Sequence, residues 1–249
     1  MLSLNALWPQ RQKKAQPRIP AGFRIYAVGD VHGRADLLIG LFARIDSDLQ
    51  RRPSVRPVQL FIGDYVDRGP DSRMVIDLLI ARGRKHEMVC LKGNHELYLS
   101  QVLTDHSIFS EWQQMGGIPT LLSYGLTPSG GAGAKSAQEV AVAFRQALPG
   151  SHRRFIDGLT LSFSFGDFFF AHAGVRPGID LKKQTQHDLL WIRDDFLLHE
   201  GDYGKIVVHG HTPAKEPEVR SNRINIDTGA YATGKLTCLV LERDQMRFL

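Results

Sequence analysis

The chain has 249 residues, 43% of them hydrophobic and 23% charged, proportions that fit a globular protein and exclude disorder, collagen and coiled coil. No apolar run approaches the roughly 18 residues a bilayer span requires, and the opening MLSLNALWPQRQKK puts its charge after a short apolar start, unlike a signal peptide, so a cytoplasmic location is expected. The net charge of +5 resides in Arg11, Lys13, Lys14, Arg18 and Arg24; the rest of the chain is formally neutral, and no nucleic-acid partner is expected.

Residues 1–22, basic and carrying Pro9, Pro17 and Pro20, read as a flexible tail before one domain over 23–249. Phe23 to Val28 is rich in β-branched and aromatic residues and stops at Gly29-Asp30, as a strand does. Leu38, Leu41, Phe42, Ile45 and Leu49 then recur at helical spacing, with Arg44, Asp46 and Asp48 expected to face water. Val58 to Ile62 repeats the unit, ending at Gly63-Asp64; Asp71 is placed to cap a helix with Val75, Leu78 and Leu79 inside, closed by Gly83. Glu87 to Leu91 is the third strand, ending at Gly93-Asn94-His95 before a helix from Leu97 to Leu103. Residues 104–158 break the rhythm with a glycine-rich loop, Ser129 to Gly133, and a helical stretch from Gln138 to Leu148, and read as an insertion. Leu159 to Ser164 and Phe168 to Ala171 form a hairpin, and Lys205 to Val208 and Leu236 to Glu242 close the chain as strands. Repeated strand, polar loop and helix imply an α/β fold with its ligands at the C-terminal strand ends.

Five of those ends offer oxygen or imidazole donors: Asp30 with His32, Asp64, Asn94 with His95, His172, and His209 with His211. Any one alone reads as an ordinary turn, cap or buried histidine; together they converge on a metal site. Carboxylate and imidazole without thiolate suit manganese, iron, zinc or magnesium, and a shared carboxylate between two cations about 4 Å apart suits displacement at phosphorus. Cys90 and Cys238 lie in no zinc or redox pattern and read as core residues.

The motifs Gly29-Asp-Val-His-Gly33, Gly63-Asp-Tyr-Val-Asp-Arg-Gly69, Gly93-Asn-His-Glu96, His172-Ala-Gly174 and Gly210-His-Thr212 resemble, in order and spacing, the calcineurin-like metallophosphoesterases. Val-Asp-Arg-Gly is the mark of their phosphoprotein phosphatase branch. Leu190-Trp-Ile-Arg193 and Ile226-Asp-Thr-Gly229 are similar to segments of the bacteriophage lambda protein phosphatase and its bacterial relatives. The resemblance implies a two-sheet sandwich flanked by helices, with two divalent cations, manganese being the working choice. It implies that Asp30 and His32 hold the first cation, Asp64 bridges, and Asn94, His172 and His211 hold the second. Arg68 and Arg193 would grip the phosphate through their planar forks, His95 would protonate the leaving oxygen, and Asp67 would hold its imidazole. Glu96 is left as a supporting residue without a role. His209, two residues before His211 on one strand, falls on the same side by alternation and is expected to support the metals from behind.

Other nucleophiles are excluded. A cysteine phosphatase needs arginine six residues after its cysteine, where this chain has Glu96 and Asp244, and no GxSxG elbow is present. Gly229 to Lys235 is a near miss for a phosphate-binding P-loop, but Leu236 stands where Ser or Thr must bind magnesium, and the segment reads as a turn. The expected enzyme is a metal-dependent phosphomonoesterase acting through direct attack of hydroxide, with a phosphoserine or phosphothreonine protein, or a small phosphate ester, as substrate. The alternative is a hydrolase of phosphoanhydrides such as diadenosine tetraphosphate. Glu111 to Gly117 resembles a segment found in both branches and does not decide between them.

Overall fold

The computed structural model describes residues 16–53, 56–127 and 136–249; most of the basic tail and the Ser129 to Gly133 loop lie outside these. The strands are β1 (Phe23–Val28), β2 (Arg56–Phe61), β3 (Glu87–Cys90), β4 (Ser162–Phe165), β5 (Phe168–Ala171), β6 (Ile206–His209), β7 (Glu218–Val219), β8 (Arg223–Asn225), β9 (Cys238–Glu242) and β10 (Gln245–Phe248). They form two five-stranded sheets, ordered β10-β9-β1-β2-β3 and β4-β5-β6-β8-β7. Within the first, β1, β2 and β3 run parallel; within the second, β5, β6 and β8 do. The remaining pairs, β1 with β9, β9 with β10, β4 with β5 and β7 with β8, are antiparallel.

Alternation along the strands builds the layers. Ile25, Ala27, Leu60, Phe168, Phe170, Val208 and Leu239 fill the space between the sheets. Tyr26, Val28 and Phe61 face outward under the helices Ala35–Arg51 and Ser72–Gly83. Phe169, Ala171 and Val207 face the other way, onto Leu189, Ile192 and Phe196. The result is the helix-flanked two-sheet sandwich expected. Among the described residues, no helix is long and apolar enough to cross a membrane.

The first helix buries Leu38, Leu41, Phe42 and Ile45 as its spacing dictates, but it also buries Asp48. That carboxylate accepts a hydrogen bond from the Tyr26 hydroxyl at 2.8 Å and pairs with Arg247 and, at 3.6 Å, with Arg24; partners from β1 and β10 make its burial possible. Asp71 precedes the second helix, yet its side chain caps no helical N–H. The third helix starts at Asn94, inside the motif, rather than at Leu97. Residues 104–158 supply the helices Phe109–Trp112, Ile118–Ser123, Ala137–Ala147 and Gly150–Asp157, which pack with the helices Ser72–Gly83 and Asn94–Val102 and bury Trp112, Leu121, Tyr124 and Phe144 in the same core cluster. The end of the basic tail is strapped down: Ile19 is buried between the sheets, and its N–H donates to the Arg243 carbonyl at 2.8 Å.

Candidate metal centre

The donor-bearing loops follow β1, β2, β3, β5 and β6, as the sequence implied, and β8 adds a sixth with Asp227. These loops turn sharply. Among the described residues, five of the six non-glycine residues with positive φ are candidate site residues: His32, Asp64, Asp67, Arg68 and His211, at 43° to 70°. Each such conformation costs an L-residue about 1 kcal/mol or more, so the strain of the described backbone is concentrated here. Two glycines permit the close approach: a Cβ on Gly93 would lie 2.1 Å from Asp64 Oδ1, and one on Gly210 would lie 2.1 Å from Asp30 Oδ1.

Asp64 is at the centre. Its carboxylate lies 3.3 Å from His32 Nε2, 3.4 Å from His172 Nε2 and 3.8 Å from His95 Nε2. Burial alone would raise its pKa; positive charge beside it, on the imidazoles of His172, His95, His32 and His211 or on a cation in their place, would hold it far below the usual carboxylate range. The histidines are also constrained. His32 Nδ1 lies 2.9 Å from the Val66 carbonyl and His172 Nδ1 lies 3.1 Å from the Ile62 carbonyl, so each donates its ring N–H to backbone and turns an unprotonated Nε2 toward Asp64. Burial keeps them neutral, lowering His32 to about 3 and shifting His172 in the same direction. Likewise His172 Nε2 faces Asn94 Oδ1 at 2.9 Å, acceptor against acceptor. Lone pairs facing lone pairs in a buried site are repulsive unless a cation stands between them, so this donor set fits divalent metal.

The donors fall into two overlapping clusters, His32 with Asp64 and His95, and Asp64 with His172 and His211, each with ligand atoms within 4.8 Å of one another. Asn94 joins the second, its Oδ1 3.0 Å from His211 Nδ1. His211 Nε2 and Asp30 Oδ1 are buried without a hydrogen-bond partner. Asp30 belongs to neither cluster; its Oδ2 accepts the His211 N–H at 3.1 Å. Burial, Asp227 and Asp64 together push its pKa well up, and burial raises Asp227 to about 6. Asp227 lies in the Ile226 to Gly229 segment noted from sequence, but had been given no role.

His95 Nδ1 is 2.7 Å from Asp67 Oδ2, and its Nε2 is buried and unpaired. Burial would lower the His95 pKa, but Asp64 and Asp67 outweigh it and the net shift is upward. Arg68 reaches to 2.9 Å from His32 Nε2 and lies over the ring of Tyr231, 5.0 Å from its centroid; this exposed tyrosine was not foreseen. Arg193 is exposed at the rim, 3.4 Å from Thr212 Oγ1. The Gly229 to Lys235 segment is a turn with one short helix, Ala230–Thr233, leading toward β9 rather than a P-loop.

His209 does not meet its expectation. Strand β6 ends there, and His211 takes φ +66°, which breaks the alternation. The His209 ring packs edge-on to Phe196 at 4.8 Å, with Nε2 3.5 Å from Arg223, and hydrogen-bonds none of the clustered donors. Glu96, by contrast, acquires a definite place. Its carboxylate accepts backbone N–H bonds from Asp64 at 2.9 Å, Tyr65 at 2.7 Å, Val66 at 3.3 Å and Gly93 at 2.9 Å. Its position three residues after Gly93 is the spacing of a capping box, the one local signal that could have found it.

A buried cluster fit for two cations, an imidazole with one free nitrogen, and two arginines beside it can attract an anionic phosphoryl group, polarise it and protonate what leaves. The calcineurin-like phosphoesterase family profile matches residues 23–238. Bis(5'-nucleosyl)-tetraphosphatase PrpE (asymmetrical) of Anoxybacillus flavithermus is 27% identical over 241 residues, covering 85% of this chain and 88% of that one. In fold, the chain is similar to a crystal structure described provisionally as a diadenosine tetraphosphatase, with TM-score 0.60 at 18% identity over 92% of this chain and 98% of that one. It is also similar to a cold-active protein-tyrosine phosphatase of a Shewanella species, with TM-score 0.55 at 13% identity over 93% and 83%. With the motifs, the sandwich and a match over most of its length in agreement, this chain belongs to the calcineurin-like phosphoesterase family.

Proposed function

We propose that this protein hydrolyses a phosphoanhydride bond in dinucleoside polyphosphates of the bis(5'-nucleosyl)-tetraphosphate type. The observation that carries the reading is the likeness to relatives of that name along nearly the whole of both chains. It moves the alternative drawn from sequence ahead of the phosphoprotein reading. In this proposal His32, Asp64, Asn94, His172 and His211 hold two divalent cations, with Asp30 completing the first site, and manganese remains the working choice. Bound there, the cations would activate water and neutralise phosphate charge. Arg68 and Arg193 orient the phosphoryl oxygens from two sides. His95 gives the proton on Nε2 to the departing oxygen, while Asp67 keeps Nδ1–H in place. Phosphomonoester hydrolysis is the second reading, favoured by the Val66-Asp67-Arg68-Gly69 motif.

The test is a comparison of kcat/KM for diadenosine tetraphosphate, phosphoserine peptides and an aryl phosphate with manganese-loaded protein. The dinucleotide should lead by at least about tenfold, roughly 1.4 kcal/mol in transition-state binding. Preference for the phosphopeptide, with little turnover of the dinucleotide, would overturn the proposal in favour of the second reading.

A further inference from the structure

The segment 104–158 does more than pack against the second and third helices. Asp67 receives three side-chain donors: His95 Nδ1 at 2.7 Å and Trp112 Nε1 at 3.0 Å on Oδ2, and Thr120 Oγ1 at 2.6 Å on Oδ1. Two of the three come from the inserted segment. The Thr120 hydroxyl has a single proton, which goes to Asp67; its oxygen then accepts from the Asp67 N–H and from Ser72 Oγ, both at 2.9 Å. Trp112 is fully buried, stacked on Phe144 at 5.6 Å. The backbone also lies so close to it that a Cβ on Gly117 would come within 2.4 Å of the indole. A carboxylate accepting three donors in a buried site cannot rotate without orphaning one of them.

We propose that Trp112 and Thr120 are positioning residues for acid at His95: they lock Asp67 so that His95 presents Nε2, and only Nε2, to the leaving oxygen. Because Asp67 accepts from Nδ1–H, the imidazole can exchange its mobile proton at Nε2 alone, the nitrogen that is buried and unpaired. The inserted segment thereby assembles the acid from outside the strand-end motifs. This rests on His95 being the acid and is independent of which phosphate compound is the natural substrate.

Thr120→Val removes the hydroxyl at nearly constant volume, and Trp112→Phe keeps a ring against Phe144 while removing the donor. Both are compared with His95→Asn in the manganese-loaded protein, on phenyl phosphate, a poor leaving group, and dinitrophenyl phosphate, a good one. Thr120→Val and Trp112→Phe should each lose about tenfold in turnover on phenyl phosphate, part of the 10² to 10⁴ that a positioned acid supplies, and less than about twofold on the activated ester. Thr120→Ser should restore activity, metal content should stay at two equivalents, and neither substitution should cost anything further in the His95→Asn background. Equal losses on the two esters, or undiminished losses in the His95→Asn background, would show a structural role and overturn the proposal. Should Trp112→Phe fail to fold, Thr120→Val decides alone. If His95→Asn itself shows no leaving-group dependence, the acid assignment fails and the proposal with it. If His95→Asn shows the dependence and the other two do not, only the positioning role fails.

Discussion

Glu96→Gln replaces one atom yet should be among the most damaging substitutions in this protein. Oε2 of Glu96 accepts from Asp64 and Gly93, and Oε1 from Tyr65 and Val66. A glutamine amide supplies one oxygen and one NH2 group, so whichever way it is placed, one pair of backbone N–H groups faces a donor. Each buried unsatisfied group costs about 1 to 3 kcal/mol, or about 2 to 6 kcal/mol for the pair. At about 2 to 4 °C per kcal/mol for a chain of this size, the melting temperature should fall by roughly 4 to 24 °C. The damage is also directional, because the loosened N–H groups belong to the turn that holds Asp64 at φ +52°. Burial and then Asp64 push the Glu96 pKa up to about 7, so calorimetry of the metal-free protein above about pH 8, where the carboxylate is ionised, measures the first effect, and manganese titration by isothermal calorimetry the second, where affinity should weaken by about 10-fold or more, the usual cost of losing a group that supports a ligand. A melting temperature within about 2 °C of wild type, with unchanged manganese affinity, would refute the argument that four converging N–H groups need an acceptor-only side chain.

Asp64→Asn should abolish binding of both cations, read by elemental analysis, while leaving the circular dichroism spectrum intact; two equivalents retained would refute the bridging assignment. His95→Asn should lower turnover by about 10² to 10⁴ on a phosphoserine peptide, but by less on diadenosine tetraphosphate, whose departing phosphate needs less help than an alkoxide; equal losses would count against the acid role. His209→Asn should change manganese affinity by less than about threefold, since its ring faces Phe196 and Arg223, and a shift within the 10- to 100-fold range of a ligand-supporting group would contradict that geometry. For Asp48, burial opposes ionisation, but the Tyr26 hydroxyl, Arg247 and Arg24 outweigh it and hold its pKa below the ordinary value. Its stabilisation is therefore complete above about pH 4 and fades as pH falls through the lowered folded value. The melting-temperature gap between wild type and Asp48→Asn should be widest near neutral pH and close toward acid; a gap independent of pH would contradict this.

Strand and helix identity, and the order of the donor loops, were legible in the chain because both follow from short-range regularities. Runs of β-branched and aromatic residues stopped by turn residues marked β1, β2 and β5, the 3.6-residue period marked the helix Ala35–Arg51, and each polar tripeptide sat where its strand stopped. Some elements escaped: β7 and β8 span two and three residues, too few for a run to show, and β10, Gln245–Phe248, has no β-branched residue. Tertiary structure decided what depends on partners distant in sequence. Asp48 looked solvent-facing because a helix wheel cannot show Arg247, 199 residues away, reaching across to neutralise it. His209 looked like a neighbour of the metals because alternation assumes a strand that continues, whereas the chain enters the left-handed region at His211. Trp112 and Thr120, 45 and 53 residues from Asp67, read from sequence only as parts of an insertion. A hydrogen bond that orients a catalytic side chain leaves no periodic trace in either segment it joins, because it forms only when both have been folded to within about 3 Å of each other.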